Sequence, residues 1–142
     1  NRAELTKMIV ASVAKPDATK FKNCFPDVKE EWYAPYICYA KDKGWVSGYS
    51  DKTFKPAQKI KRVEALKIVL EALFDSISDK NLKLKSDLTD INLTDWYGKY
   101  FSFADQNNLL DFAHVQSKKY YPGNNITRKE VAETIYRSLN LE

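Results

Sequence analysis

The sequence predicts a mainly α-helical fold with no substantial sheet, assembled from helix–loop–helix repeats. Three observations carry this. A set of residues recurs along the chain in fixed order and spacing. Apolar residues inside the recurring segments fall three and four apart. Polar, charged stretches separate one segment from the next.

The recurrence is read directly. Trp32-Tyr33 returns as Trp96-Tyr97, Ala40 as Ala104 and Gly44 as Asn108. Phe54-Lys55-Pro56 returns as Tyr120-Tyr121-Pro122, and Ile60-Lys61-Arg62-Val63-Glu64 as Ile126-Thr127-Arg128-Lys129-Glu130. Upstream, Phe25-Pro26-Asp27-Val28 matches Leu88-Thr89-Asp90-Ile91, with one residue inserted before Trp96. Arg2-Ala3-Glu4 opens the chain as a third copy of the Arg-x-Glu element. Residues 1–14 are therefore expected to be the second helix of a truncated first repeat and 15–24 a linker. A complete repeat spans 25–74, a linker 75–86 and a second complete repeat 87–142, all in one compact unit.

Each repeat begins with a helix near its Trp. The apolar face is Tyr33, Tyr36, Ile37 and Ala40 in one copy and Tyr97, Tyr100, Phe101 and Ala104 in the next. Pro35 falls in the first turn, where an N–H lacks a helical partner anyway, and Gly44 supplies the stop. A turn at Gly48-Tyr49 and an extended Phe54-x-Pro56 follow. The second helix starts at the Arg. Its expected faces are Leu5, Met8, Ile9 and Val13; Leu66, Val69, Leu70 and Leu73; and Val131, Ile135 and Leu139. A lone helical hairpin cannot bury both faces, so the repeats must pack on one another about a pseudo-rotation axis.

Composition removes several functions. Hydrophobic residues make up 44% and charged residues 30% of 142, the balance of a globular chain. No apolar run is long enough for a transmembrane segment. The net charge of +4 is too diffuse to require nucleic acid. Two cysteines and one histidine cannot build a Cys/His zinc site, and His114, read as a solvated loop residue, is the sole imidazole base. No phosphate loop or other cofactor motif is present, so no cofactor or metal is expected. No signal peptide is visible, and the helical start suggests a piece of a longer protein.

The Arg-x-Glu element carries the most chemistry. Thr127 and Glu130, and Asn1 and Glu4, have capping-box spacing; Lys61 breaks it in the middle copy. Arg2, Arg62 and Arg128 open their helices, where the dipole disfavours a cation by roughly 0.3–1 kcal/mol. An exposed Arg beside free helix N–H groups makes an anion site. The competing reading is an internal ion pair, with Asp27 or Asp90 as partner.

In their order these residues resemble the S-layer homology family. Its pattern of Phe-x-Asp-Val, Trp-Ala, Gly, Gly-Tyr-x-Asp-Gly-Thr-Phe-x-Pro and Ile-Thr-Arg-Ala-Glu is matched almost throughout by Phe25 to Glu64 and, less fully, by Asp90 to Glu130. The later copy has Asp111-Phe112-Ala113-His114 in place of the Gly-Tyr turn. The resemblance implies a pseudo-threefold, non-catalytic module. Such modules bind acidic, commonly pyruvylated, cell-wall polysaccharide or modified peptidoglycan, and anchor a larger S-layer or other surface protein outside the cell. Arg2, Arg62 and Arg128, with Asp27 and Asp90 orienting them, are the expected contacts to a pyruvate carboxylate. Trp32 and Trp96 are either helix-start core anchors or sugar-stacking faces. Tyr49 offers a ring and a hydroxyl, and Gly48 is expected at positive φ or at close ligand approach. Cys24 and Cys38 occur in one copy only; on a cell surface they are expected to pair. A protein–protein interaction module and a carboxylate-pair glycoside hydrolase are the alternatives.

Overall fold

In a computed structural model that describes residues 1–110 and 116–141, the protein is mainly α-helical. Among the described residues the named helices are α1 (Arg2–Ala11), α2 (Ala34–Asp42), α3 (Arg62–Leu73), α4 (Gly98–Gln106) and α5 (Arg128–Leu139). Extended pairing among the described residues is confined to single bridges, Phe25 with Val28 and Lys61 with Asn125. His114 and the Asp111–Ala113 stretch lie outside the described residues.

The chain divides into two compact units, Asn1–Ile60 and Lys61–Glu142. Each unit pairs the Arg-led helix of one copy with the Trp helix and Phe-x-Pro segment of the next. The compact unit is thus offset by half a repeat from the sequence repeat. The reason lies in the apolar faces: Leu5, Ile9 and Val10 of α1 are buried with Ile37 and Ala40 of α2, which packs against α1. In the second unit Leu66 and Leu70 of α3 share a core with Phe101 and Ala104 of α4, and with Leu88 and Tyr120.

The two Trp helices end alike. Gly44 sits at φ 78° and Trp45 N–H reaches back to Ala40 O at 2.9 Å; Asn108 sits at φ 58° and Leu109 N–H reaches Ala104 O at 2.9 Å. Both are left-handed caps in which the orphan carbonyl is satisfied by the residue beyond. Asn108 is the substitute for Gly that tolerates this conformation best.

Several expected faces are corrected. α1 stops at Ala11, so Val13 falls beyond it and is 40% exposed; Leu139 closes α5 and is 55% exposed. Val10, Val63 and Ile68 are buried instead. The stretch 75–86 is tied down rather than loose. Ser102 Oγ both donates to Lys83 O and accepts Lys83 N–H, at 3.0 Å each, and Asp105 Oδ2 accepts Ser86 N–H at 2.9 Å. Ile77 and Leu84 pack against the core. In the first unit the equivalent tie is covalent: Cys24 and Cys38 form a disulfide with Cα atoms 5.5 Å apart. Ser102 occupies the position of Cys38 in the later copy, so one register holds the segment before the helix in both units.

Candidate functional site

The sequence-predicted residues separate into a buried frame and an exposed surface. Asp27 belongs to the frame. Its Oδ1 accepts Phe54 N–H at 2.9 Å and its Oδ2 accepts Lys55 N–H at 2.8 Å. Asp90 does the same to Tyr120 and Tyr121. In each copy the second clasped residue, Lys55 or Tyr121, stands at φ 58°. A left-handed residue turns the backbone sharply, and two charge-assisted bonds from one carboxylate stabilise that turn.

The turn aims carbonyls at the Arg-led helix. Gln58 O and Pro56 O accept the N–H groups of Arg2 and Ala3 at 2.7 and 3.0 Å. Asn124 O and Pro122 O accept those of Arg62 and Val63 at 2.8 and 3.1 Å. These first-turn donors were expected to be free for an anion; they are consumed by backbone instead.

The arginines follow the same logic. Arg2 is 6% and Arg62 8% exposed, which corrects the expectation of exposed cations. Arg2 Nε donates to Phe54 O at 3.0 Å, and its guanidinium lies 4.9 Å from the Tyr49 ring centroid and 4.5 Å from that of Phe54. Arg62 Nη1 reaches Tyr120 O at 3.3 Å, and Nε and Nη2 fork onto Glu130 at 2.7 and 3.0 Å. Burial is possible because carbonyls, a carboxylate and ring faces surround the guanidinium groups in place of water. The partner is Glu130, not the expected Asp27 or Asp90, which are occupied by backbone. Arg128 is exposed at the start of α5, after a Thr127 cap that accepts Glu130 N–H at 3.1 Å.

Gly48 is not at positive φ. A Cβ there would meet the Phe25 ring at 3.0 Å and Thr53 O at 3.1 Å, so close packing inside the unit favours Gly. Asp51 stabilises the adjoining turn: its Oδ1 accepts both Thr53 N–H and Thr53 Oγ, bonds that hold its carboxyl below the ordinary range. Tyr49 is half-buried, with Lys55 Nζ 4.5 Å from its ring centroid.

Trp32 and Trp96 form the surface. Each is 58% exposed, and each rests edge-on against the next Tyr, with centroids 5.2 and 5.7 Å apart. The core-anchor role belongs to the residues two further on, Ala34 and Gly98, both buried. Lys7, not singled out from sequence, places its ammonium 5.3 Å from the Trp32 ring centroid and 5.7 Å from that of Tyr36. The signal that could have found it is its place on α1 off the face that buries Leu5 and Ile9.

A repeated Asp clasp, left-handed step, Arg-led helix and exposed Trp define a helical repeat. The chain carries an S-layer homology domain: residues 25–66 match that family. Over 139 residues, 97% of the chain, it is 27% identical to the S-layer protein EA1 of Bacillus anthracis, of which it covers 15%. It is 32% identical over 76 residues, 51% of the chain, to the middle cell wall protein of Brevibacillus brevis, covering 7% of that protein. It is 34% identical over 55 residues, 39% of the chain, to a cellulosome-anchoring protein of Acetivibrio thermocellus, covering 12%. The chain thus corresponds to a small part of each relative, and its place is the cell surface.

Proposed function

We propose that this module is a non-catalytic anchor that binds an acidic, pyruvylated cell-wall polysaccharide and so tethers a larger surface protein. The carrying observation is the pairing of an exposed ring with a cation, Trp32 with Lys7. A pyranose presents C–H groups on its faces, which pack on an indole, and a pyruvate ketal presents a carboxylate, which an ammonium receives. Trp96 repeats the exposed ring, and Arg128 is an exposed cation in the second unit. Arg2 and Arg62 act in this reading by positioning the surface, since their donors hold Phe54, Tyr120 and Glu130. Asp27, Asp90 and Glu130 are committed to backbone or guanidinium, which leaves them unsuited to act as a hydrolytic pair. The test is retention on purified wall polymer before and after mild acid removal of its ketals, with a turnover assay alongside. Retention lost with the ketals supports the reading. Unchanged retention on ketal-free polymer overturns the acidic ligand, and release of shortened glycan overturns the non-catalytic role.

A further inference from the structure

The first unit holds a cleft that neither the Asp clasp nor the Arg-led helix uses. Its volume is about 380 Å³, inside the range of ligand sites of roughly 300–1,000 Å³. One wall is the stretch Ala18, Thr19, Phe21 and Lys22; the other is Glu30, Glu31 and Trp32, just before α2. The first wall precedes residues 25–66, the part of the chain that matches the family.

The chemistry of the walls selects a ligand. Trp32 and Phe21 contribute ring surface. Lys22 is paired with Glu30 at 3.3 Å, which neutralises the cleft's one cation. Glu31 Oε2 accepts Lys29 N–H at 2.7 Å and keeps its other oxygen for a further donor. Thr19 spends its hydroxyl hydrogen on Asp17 Oδ1 at 2.7 Å, so its oxygen faces a ligand as an acceptor. The cleft therefore offers acceptors around an aromatic platform, with two carboxylates against one lysine. An anion is repelled there, whereas a polyhydroxylated ring donates to every acceptor and packs its C–H face on the rings. Lys7 stands outside these walls.

We propose that this cleft binds one uncharged pyranose residue of the wall glycan, adjacent to the acidic residue that Lys7 receives. The proposal rests on the reading of the module as a wall-glycan anchor. It adds a second, neutral subsite, so that recognition spans at least two linked sugars.

The test uses the full chain and two probes: the N-acetylglucosamine disaccharide and its pyruvate-ketal derivative. Affinity is read by calorimetry and by tryptophan emission. Ala18→Leu is the principal variant, because Ala18 is exposed and added bulk fills the cleft without touching the core. Phe21→Ala is the second, checked by a thermal melt because Phe21 rests edge-on against Tyr39 at 5.2 Å. Lys7→Gln reports the acidic arm. Both cleft variants are expected to weaken both probes about five-fold or more, while Lys7→Gln weakens only the ketal probe. A wild-type protein that binds no uncharged disaccharide overturns the neutral subsite. So does an Ala18→Leu protein that binds both probes like wild type, and in either case ketal-dependent retention on wall polymer would leave the anchoring reading standing. Loss of that retention in the wild type would instead overturn the anchoring reading and the subsite with it.

Discussion

Arg62 forks onto Glu130, Nε to Oε2 at 2.7 Å and Nη2 to Oε1 at 3.0 Å, with the two side chains 10% and 15% exposed. The bond joins the first residue of α3 to the third residue of α5, both in the second unit. It gives one carboxylate two duties, since Glu130 also takes a hydrogen bond from the Thr127 hydroxyl at 3.3 Å. A buried pair of this kind adds little over an apolar replacement, but breaking it leaves a stranded charge.

Glu130→Ala is accordingly expected to destabilise the second unit by about 3–5 kcal/mol, and Arg62→Ala by a similar amount. The double variant should cost clearly less than the sum, because no stranded charge remains. Urea denaturation of the four proteins closes the cycle. Arg62→Lys should recover only part of the loss, since an ammonium cannot fork onto a carboxylate. Additive losses would show that the two side chains act independently.

How much of this was legible beforehand depends on the range of the interaction. The helices were, because a 3.6-residue period is local and repeats three times. The left-handed cap at Asn108 follows from its register with Gly44. The Asp clasp was not, because Asp27 and Phe54 are 27 residues apart and nothing local tells an Asp that binds backbone from one that binds Arg. The Arg side chains were expected to be exposed on a dipole argument worth a fraction of a kcal/mol. That preference is outweighed by carbonyls and a carboxylate placed around the guanidinium by a different copy. The exposure of Trp32 and Trp96 is not legible in the sequence, because a Trp at a helix start carries the same pattern whether it faces inward or outward.

Gly98 offers a sharper test of the repeat register. Its counterpart in the earlier copy is Ala34, fully buried without strain. The one-residue insertion before Trp96 brings Leu93 O within 2.0 Å of where a Cβ on Gly98 would lie. Gly98→Ala is therefore expected to cost several kcal/mol, on the order of an overpacked core with backbone shift, despite the gain in helix propensity of about 1 kcal/mol. A thermal melt unchanged from wild type would mean that the Leu93 loop relaxes freely.

The segment before each Trp helix is held by a disulfide in one unit and a serine in the other. Replacing Cys24 and Cys38 by Ser should cost about 3 kcal/mol, the chain-entropy value for a loop of this size. Ser102→Ala, which strands the Lys83 backbone groups, should cost about 1–3 kcal/mol. Reductant should lower the stability of wild type and leave the Cys-free variant unmoved. Equal sensitivity in both would place the effect elsewhere.

Trp32→Ala and Trp96→Ala separate surface from frame. Each ring is 58% exposed, so stability should change by less than about 1 kcal/mol. Retention on wall polymer should fall in both, and more for Trp32, where Lys7 adds a cation. A large drop in melting temperature with unchanged retention would return these residues to the core.

Tyr100 supplies a pH signature for the second unit. It is 5% exposed, and its hydroxyl donates to Glu71. Burial first, then the Glu71 carboxylate, push its ionisation well above the ordinary value near 10. The folded state keeps a proton that the unfolded chain releases above pH 10. The stabilisation is therefore complete below that pH and is lost progressively as pH rises toward the folded-state value. Tyr97, also raised by burial, contributes in the same direction, so the informative quantity is the difference between wild type and Tyr100→Phe. That difference should be constant from neutral pH to about 9 and shrink steadily above 10, as measured by urea denaturation at each pH. A difference that stays flat to pH 11 would show that Tyr100 ionises equally in both states, and that the Glu71 contact does not hold its proton.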